Sequence, residues 1–163
     1  MSNSDHLKWC FREDQIELDV PNQMLAEDYQ AKAREALEVA ALLEDNEYYD
    51  WSVTASYYAR YFILTAFLRR CGLVIENHAC AITLFKVAFI EEDELEKGLV
   101  ESIEEGKRNR IEKQYGITRT TETAAKNQRG KAVDFVTELN GYIEGISSDT
   151  VEQVRRVIEE QVK

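Results

Sequence analysis

The sequence is poor in proline, in glycine and in long apolar runs. One proline and seven glycines among 163 residues leave few interruptions of a regular backbone, which favours long helices over a multi-stranded sheet. No stretch approaches the ~18 to 20 apolar residues of a membrane span. The first ten residues, MSNSDHLKWC, also lack the apolar segment of a signal peptide. The sequence therefore predicts a cytoplasmic protein with no membrane contact.

Positive charge is also scarce. The chain has 20 lysines and arginines against 31 acidic residues, a formal net charge of -11. Binding to duplex DNA or to anionic lipid is therefore not expected, because phosphates would meet a repulsive average field. Apolar residues make up 44% and charged residues 31%, which is the range of one ordinary globular domain and not of a disordered chain.

The three cysteines are odd in number and show no C-x-x-C spacing. Cys10, Cys71 and Cys80 are therefore expected to be buried thiols in a reducing compartment. A Cys71–Cys80 bridge and a metal site are the alternatives. The two histidines, His6 and His78, are far apart in sequence, so no metal and no other cofactor is expected.

The apolar pattern predicts an all-α protein, an antiparallel up-and-down bundle of five to six helices. Residues 1–21 show no helical period and are interpreted as a short non-helical N-terminal arm packed on the domain. Within this arm, residues 16–20 (IELDV) alternate like a strand but have no obvious partner. Residues 22–163 are expected to form a single helical domain.

Several helix ends can be placed by residue. Asn22 is predicted to cap the first helix of the domain, and Asp50 or Ser52 the second. Gly72 is predicted to end that second helix, and Asp93 to cap the fourth.

Positive charge is concentrated in the stretch KRNRIEKQY, residues 107–115, which directly follows a strongly acidic stretch. One interpretation is a solvated helix face that relieves the acidity through pairs such as Glu104 with Arg108. The other is a ligand or partner surface, because tyrosine and arginine are common at interfaces and the arginine fork suits phosphate.

A helical projection divides this stretch between two faces. Arg110 falls at the edge of the buried stripe, whereas Arg108, Ile111 and Tyr115 fall together on the opposite face. A helix with an apolar stripe on one side and this cluster on the other is expected to make contacts on both sides.

The stretch ASYYARYF, residues 55–62, carries aromatic residues at helical spacing. Such a stripe is usually core, but Tyr57 and Tyr58 have hydroxyls that need partners and can line a cleft or a dimer face. Arg60, set among them, requires a partner or a route to solvent. His78 is placed at a helix start, where it has either a structural role or a general acid/base role.

Motifs of well-known chemistry are missing. The sequence contains no glycine-rich phosphate loop, no H-E-x-x-H and no G-x-S-x-G. No enzyme class is therefore indicated by a local motif.

The segment YYDWSVTASYYARYFILTAFLRRCGLVIENH resembles the HEPN-domain family. The family pattern is a tyrosine–aspartate pair, then Ser/Ala-x-Tyr-Tyr-Ala, an apolar run, a glycine turn and a histidine. Here these are Tyr49 with Asp50, residues 55–59, Gly72 and His78. The later stretches RNRIEKQYGI and AVDFVTEL resemble the second half of an uncharacterised prokaryotic branch, so the resemblance spans roughly residues 22–145.

The resemblance implies a helical bundle that forms a homodimer. Active members are metal-independent ribonucleases, often toxins of toxin–antitoxin type, paired with a minimal nucleotidyltransferase. Their site lies in the dimer cleft and uses an arginine followed four to six residues later by a histidine. Neither Arg108 nor Arg110 is followed by a histidine in that window, and His78 can substitute only if the fold brings it close.

The resulting prediction is a non-catalytic or weakly active HEPN-type module. It is expected to dimerise and to bind a partner protein, such as a minimal nucleotidyltransferase, or a nucleotide- or RNA-like anion. The alternatives are a metal-independent ribonuclease with an altered site, disfavoured by the missing histidine, and a purely structural helical protein. The predicted binding residues are Arg108, Arg110, Ile111, Tyr115, Tyr57 and Tyr58, and the catalytic candidates are Arg108, Arg110, Tyr115 and His78.

Overall fold

The computed structural model describes residues 2–90, 97–116 and 119–162 and consists almost entirely of helices. The all-α prediction is thereby confirmed. The α-helices of the described ranges are α1 (Asn3–Arg12), α2 (Gln23–Asp45), α3 (Tyr49–Arg70), α4 (His78–Phe85), α5 (Lys97–Tyr115), α6 (Glu122–Gly145) and α7 (Ser148–Val162). A π-helical turn, Lys86–Ile90, continues α4. None of the described helices is both long and apolar enough to cross a membrane.

The N-terminal segment is helical, so the prediction of a non-helical arm is wrong. Ser2 caps α1 in a capping box with Asp5, and Leu7 and Cys10 are fully buried. A ten-residue helix that buries only two side chains leaves a weak periodic pattern in the sequence.

The predicted strand has a partner that the sequence did not reveal. Strand β1 (Ile16–Leu18) pairs antiparallel with β2 (Leu73–Ile75), and Ile16 lies opposite Ile75. Since β2 follows α3, this small ribbon joins the N-terminal segment to the end of the central helix.

Helix α3 is the centre of the bundle and packs against α2, α5 and α6. Every residue of α3 except Trp51 is buried or half-buried, as its continuous apolar sequence predicts. Helix α2 precedes it across a connection of residues 46–48, and a loop this short makes the two helices antiparallel neighbours. Asn22 caps α2 as predicted, since its side chain accepts a hydrogen bond from the Leu25 amide at 3.0 Å.

The start of α3 differs from the prediction. Tyr48 is the N-cap residue and makes no side-chain cap, so neither Asp50 nor Ser52 caps the helix. The Asp50 carboxylate instead accepts hydrogen bonds from the amide (3.0 Å) and the hydroxyl (2.5 Å) of Thr120. The Ser52 hydroxyl donates to the Ala40 carbonyl at 2.8 Å. Both side chains form hydrogen bonds with residues outside α3, which the local sequence does not reveal. Asp93 lies outside the described residues.

Gly72 ends α3 in the left-handed region, with φ of 78°. A Cβ at this position would lie 2.5 Å from the Asp19 carbonyl oxygen and 2.8 Å from the Pro21 nitrogen. Only glycine fits here, because both the dihedral angle and the close backbone contact exclude a side chain.

Two of the cysteines form a disulfide, so the expectation of three thiols is wrong. Cys10 and Cys80, 70 residues apart in sequence, are bonded and join α1 to α4. Cys71, which was the alternative partner of Cys80, is free and buried. Burial raises the pKa of the Cys71 thiol to about 12.

Candidate anion-binding site

Helices α3, α4 and α5 bring His78 and Arg110 to the same place. The guanidinium carbon of Arg110 lies 5.4 Å from the ring centre of Tyr57 and 5.8 Å from that of Tyr58. The His78 ring stacks on Tyr61, with centres 3.7 Å apart. We refer to these five residues as the His78–Arg110 cluster. The cluster answers the question left by the sequence, because the fold brings His78 next to an arginine of α5.

Local capping fixes the position of His78. The Asn77 side chain accepts a hydrogen bond from the Cys80 amide at 3.0 Å and so caps α4. His78 is therefore the first residue of the helix. Its ring is held on the other side by Tyr57, whose hydroxyl lies 2.6 Å from His78 Nδ1.

His78 is neutral at physiological pH. Burial, and then the positive charges of Arg110 and Lys107, lower the pKa of His78 to about 4. Tyr57 is fully buried and burial raises its pKa, so its phenol keeps the proton. A phenol is a better donor than acceptor, so we assign the Tyr57 hydroxyl as the donor to Nδ1. The proton of the neutral imidazole is then on Nε2.

A groove of about 400 Å³ lies beside this cluster, between α4 and α5. Three of its α5 residues, Glu104, Lys107 and Arg108, are spaced so that they share a helix face. We call it the cationic groove. It is lined by Ala79, Ile82, Thr83, Lys86, Glu104, Lys107, Arg108 and Ile111.

The charge of the groove is positive despite the acidity of the chain. Three cations line it with one carboxylate, that of Glu104, which pairs with Lys86. The predicted pair of Glu104 with Arg108 is therefore not formed. Among the described residues, no carboxylate forms an ion pair with Lys107 or Arg108. Burial and the charge of Arg110 lower the pKa of Lys107.

The predicted residues of α5 separate as the projection indicated. Arg110 is half-buried against the tyrosines of α3, whereas Arg108 and Ile111 line the groove and are exposed. Tyr115 is 76% exposed and is not among the groove residues. Tyr57 has no exposed surface, so it supports His78 and Arg110 from below and is not a contact residue in this fold.

Sequence reasoning missed three residues of the site. Lys107 was part of the cationic stretch but was not selected, although it directly precedes Arg108 and is one turn from Ile111. Tyr61 is one turn from Tyr57 on α3, so its place in the cluster could have been inferred from helical spacing. Lys86 carries no such signal, because the π-helical turn alters the direction in which its side chain points.

A buried arginine holds α5 in place. Arg60 has no exposed surface; Nη1 donates to the Ser102 carbonyl and Nη2 to the Gln128 carbonyl, both at 2.7 Å. Nη2 also lies 3.0 Å from Gln128 Oε1. Burial lowers the pKa of Arg60 to about 10, so the guanidinium stays charged at physiological pH. The predicted need of Arg60 for partners is thus met, and α5 is joined to α6 behind Arg110.

These features define an all-α bundle with a cationic groove beside a pair formed by a buried tyrosine and a half-buried histidine. The HEPN domain family matches residues 26–146, and the chain belongs to that family. The match runs from α2 through the end of α6 and includes every residue of the groove and of the His78–Arg110 cluster. The resemblance read from the sequence is therefore confirmed.

A curated relative comes from the archaeon Methanocaldococcus jannaschii and is named "Putative toxin MJ0142". It is 30% identical to this chain over 87 residues, which are 53% of this chain and 59% of the relative. The chain thus matches less than two thirds of that protein's length.

Proposed function

We propose that this HEPN protein is a toxin-like module that binds a phosphate-bearing ligand, a nucleotide or a short segment of RNA, in the cationic groove. The observation that carries this proposal is the groove itself. Lys107 and Arg108 line it in a chain whose net charge is -11, and neither is paired with a carboxylate of the residues that the structure describes. Holding these cations together costs electrostatic energy, which a bound phosphate would offset.

The His78–Arg110 cluster supports binding over cleavage. With Nδ1 occupied by the Tyr57 hydroxyl, the neutral His78 offers an Nε2–H donor and no free lone pair. A donor can hold a phosphate oxygen, but it cannot take the proton of a ribose 2′-hydroxyl. This agrees with the missing histidine of the arginine–histidine motif.

Fluorescence anisotropy with a labelled single-stranded RNA of about ten nucleotides, and calorimetry with ATP, test the proposal. Lys107→Ala and Arg108→Ala are each expected to weaken binding about tenfold, the loss of one charge-assisted contact. Binding should also weaken as salt is raised, with a shallower slope in both variants. Arg156→Ala is the matched control, because Arg156 is an exposed cation on α7 outside the groove. Equal losses in Arg156→Ala and Lys107→Ala, or no binding by the wild type, would contradict the proposal.

A metal-independent ribonuclease with an altered site is the second candidate. The observation in its favour is that His78 lies beside Arg110, whose charge acts on its pKa. In that mechanism His78 would take the other tautomer and accept the 2′-hydroxyl proton at Nε2, while Arg110 would hold the phosphate. RNA cleavage in the presence of EDTA, abolished by both His78→Gln and Arg110→Ala, would establish this function in place of the first.

Dimerisation is part of the proposal. Ile111 and Tyr115 are large apolar side chains exposed at 42% and 76%, and Arg108 lies three residues before Ile111 on the same face of α5. Tyrosine and arginine are enriched at the centres of interfaces. We propose that this face of α5 contacts a second copy of the chain in the cytoplasm. Light scattering should give twice the chain mass of 18.9 kDa for the wild type and a monomer for Tyr115→Glu.

The same face is the place where a nucleotidyltransferase partner would compete with the second copy. Co-purification from the native host, with the wild type beside Tyr115→Glu, distinguishes these occupants. A partner of nucleotidyltransferase class retained by the wild type and lost from the variant supports a paired system, whereas a dimer alone supports self-association.

A further inference from the structure

A second cluster of reactive side chains lies between α1 and α4, outside the groove. One ring nitrogen of His6 and the sulfur atoms of Cys10 and Cys80 all lie within 4.8 Å of one another. The two sulfurs are bonded to each other, and both cysteines are fully buried. Neither the groove nor the His78–Arg110 cluster uses these three residues.

We propose that in the reduced protein Cys10, Cys80 and His6 form a binding site for Zn²⁺. Two thiolates and one imidazole are the donors that zinc prefers, and zinc places them about 2.0–2.3 Å from the ion in a tetrahedron. Donors in that arrangement are roughly 3.5–3.8 Å apart. The His6 nitrogen lies within 4.8 Å of both sulfurs, and the two sulfurs, which are bonded in the disulfide, would have to move apart to this spacing after reduction. A water molecule would complete the four-coordinate shell.

The orientation of His6 fits this role. Its Nδ1 lies 2.7 Å from the hydroxyl oxygen of Thr83 on α4. Histidines that bind metals usually donate the N–H of the other ring nitrogen to such an oxygen, which fixes the tautomer and the ring plane. With Nδ1 held by Thr83, Nε2 is the nitrogen left for the ion.

The zinc complex proposed for this buried site would have no net charge. Zn²⁺ with two thiolates and a neutral imidazole carries no net charge, so the complex avoids the cost of an uncompensated buried ion. The unmetallated dithiol is also neutral. Cys71, the remaining cysteine, is buried but is not part of the cluster.

Formation of the site from the disulfide requires a thiol reductant. A dithiol such as dithiothreitol supplies two electrons and two protons, the Cys10–Cys80 bond breaks to two thiols, and the reductant becomes a cyclic disulfide. Zinc binding then releases two protons, one from each thiol, as the two Zn–S bonds form. The oxidised and the zinc-bound states are therefore mutually exclusive.

The test uses the full chain, reduced with a phosphine that is then removed, and Co²⁺ as the spectroscopic probe. One Co²⁺ per chain should give the intense visible bands of tetrahedral cobalt and a thiolate charge-transfer band, both removed by one equivalent of Zn²⁺. Native mass spectrometry should show one zinc per reduced chain. His6→Gln is expected to weaken zinc binding by at least about tenfold, since even outer-shell changes have that effect.

Two controls separate this site from nonspecific binding and from unfolding. Cys71→Ser should bind cobalt like the wild type, whereas Cys10→Ser should lose the charge-transfer band. The oxidised wild type, which keeps its fold, should bind no cobalt. The proposal is overturned if the oxidised chain or Cys10→Ser gives the same cobalt spectrum as the reduced wild type, or if the reduced wild type gives none.

Discussion

The hydroxyl of Tyr57 lies 2.6 Å from Nδ1 of His78, although the two residues are 21 positions apart. This contact joins the central helix to the first residue of α4 and fixes the tautomer that we assign to the imidazole. It also places a polar pair at the base of the site, below the half-buried Arg110. The proposed role of the site, as a hydrogen-bond donor rather than a base, depends on this one bond.

We expect the pKa of His78 to lie well below the ordinary histidine value. Its resonances in an NMR titration, assigned with His78→Gln, should give a pKa near 4 because burial, Arg110 and Lys107 all disfavour the charged form. Nitrogen-15 shifts at neutral pH should show the proton on Nε2. A titration near the ordinary histidine value of about 6.5 would contradict the structure.

The lowered pKa of His78 also predicts how the stability of the fold changes with pH. The pKa of folded His78 lies below its unfolded value, so the unfolded chain takes up the proton first as the pH falls. The stabilisation is complete above about pH 6.5 and is lost as the pH falls towards 4. His78→Gln should therefore flatten the slope of the unfolding free energy against pH in this window, measured with urea.

A substitution at Gly106 tests the packing behind Arg110. A Cβ there would overlap Nη1 of Arg60 and lie 3.3 Å from Cδ1 of Tyr57. Because Arg60 is buried and bonded to two helices, it cannot move aside without losing hydrogen bonds. Gly106→Ala should lower the free energy of unfolding by about 1–3 kcal/mol.

The matched control for that substitution is Gly130→Ala in the middle of α6. A Cβ at Gly130 meets no atom within 4 Å, so the helix propensity of alanine should raise stability by up to about 1 kcal/mol. Urea unfolding of the two variants should thus move in opposite directions. Destabilisation of both variants by similar amounts would show that the contact with Arg60 is not the cause of the effect at Gly106.

The role of Arg60 is tested by Arg60→Lys. A lysine keeps the charge, but its single ammonium cannot reach the Ser102 and Gln128 carbonyls in the way the guanidinium fork does. The variant should lose about 1–3 kcal/mol of stability. Arg34→Lys, on the exposed side of α2, should stay within about 0.5 kcal/mol of the wild type. Similar values for the two would refute a joining role for Arg60.

The contact between Asp50 and Thr120 is suited to a double-mutant cycle. Asp50→Ala removes both hydrogen bonds to Thr120, and Thr120→Val removes only the one from its hydroxyl. The coupling free energy between the two substitutions should be about 1.5–3 kcal/mol, the usual net value of one hydrogen bond to a charged group. Additive effects would mean that the hydroxyl bond contributes nothing to stability.

Local patterns were sufficient for most helices and for part of the site. The cap of α2 at Asn22, the glycine turn at Gly72 and the division of α5 into two faces were all predicted correctly. Each of these features depends on residues close together in the sequence, so it can be predicted from the sequence alone. Asp50 and Ser52 were wrongly predicted as caps for the opposite reason, since their partners are distant in sequence: Thr120 lies just before α6 and Ala40 lies in α2.

The sequence by itself determined the all-α class and the cationic stretch of α5, because helical periodicity and charge are local properties. It also determined the family, through the spacing of its tyrosines, its glycine turn and His78. Only the tertiary structure decided that His78 meets Arg110, that Lys86 completes the groove, and that Cys10 joins Cys80. Those contacts span many residues, and they exist because α3 packs on several sides and brings distant helices to one place.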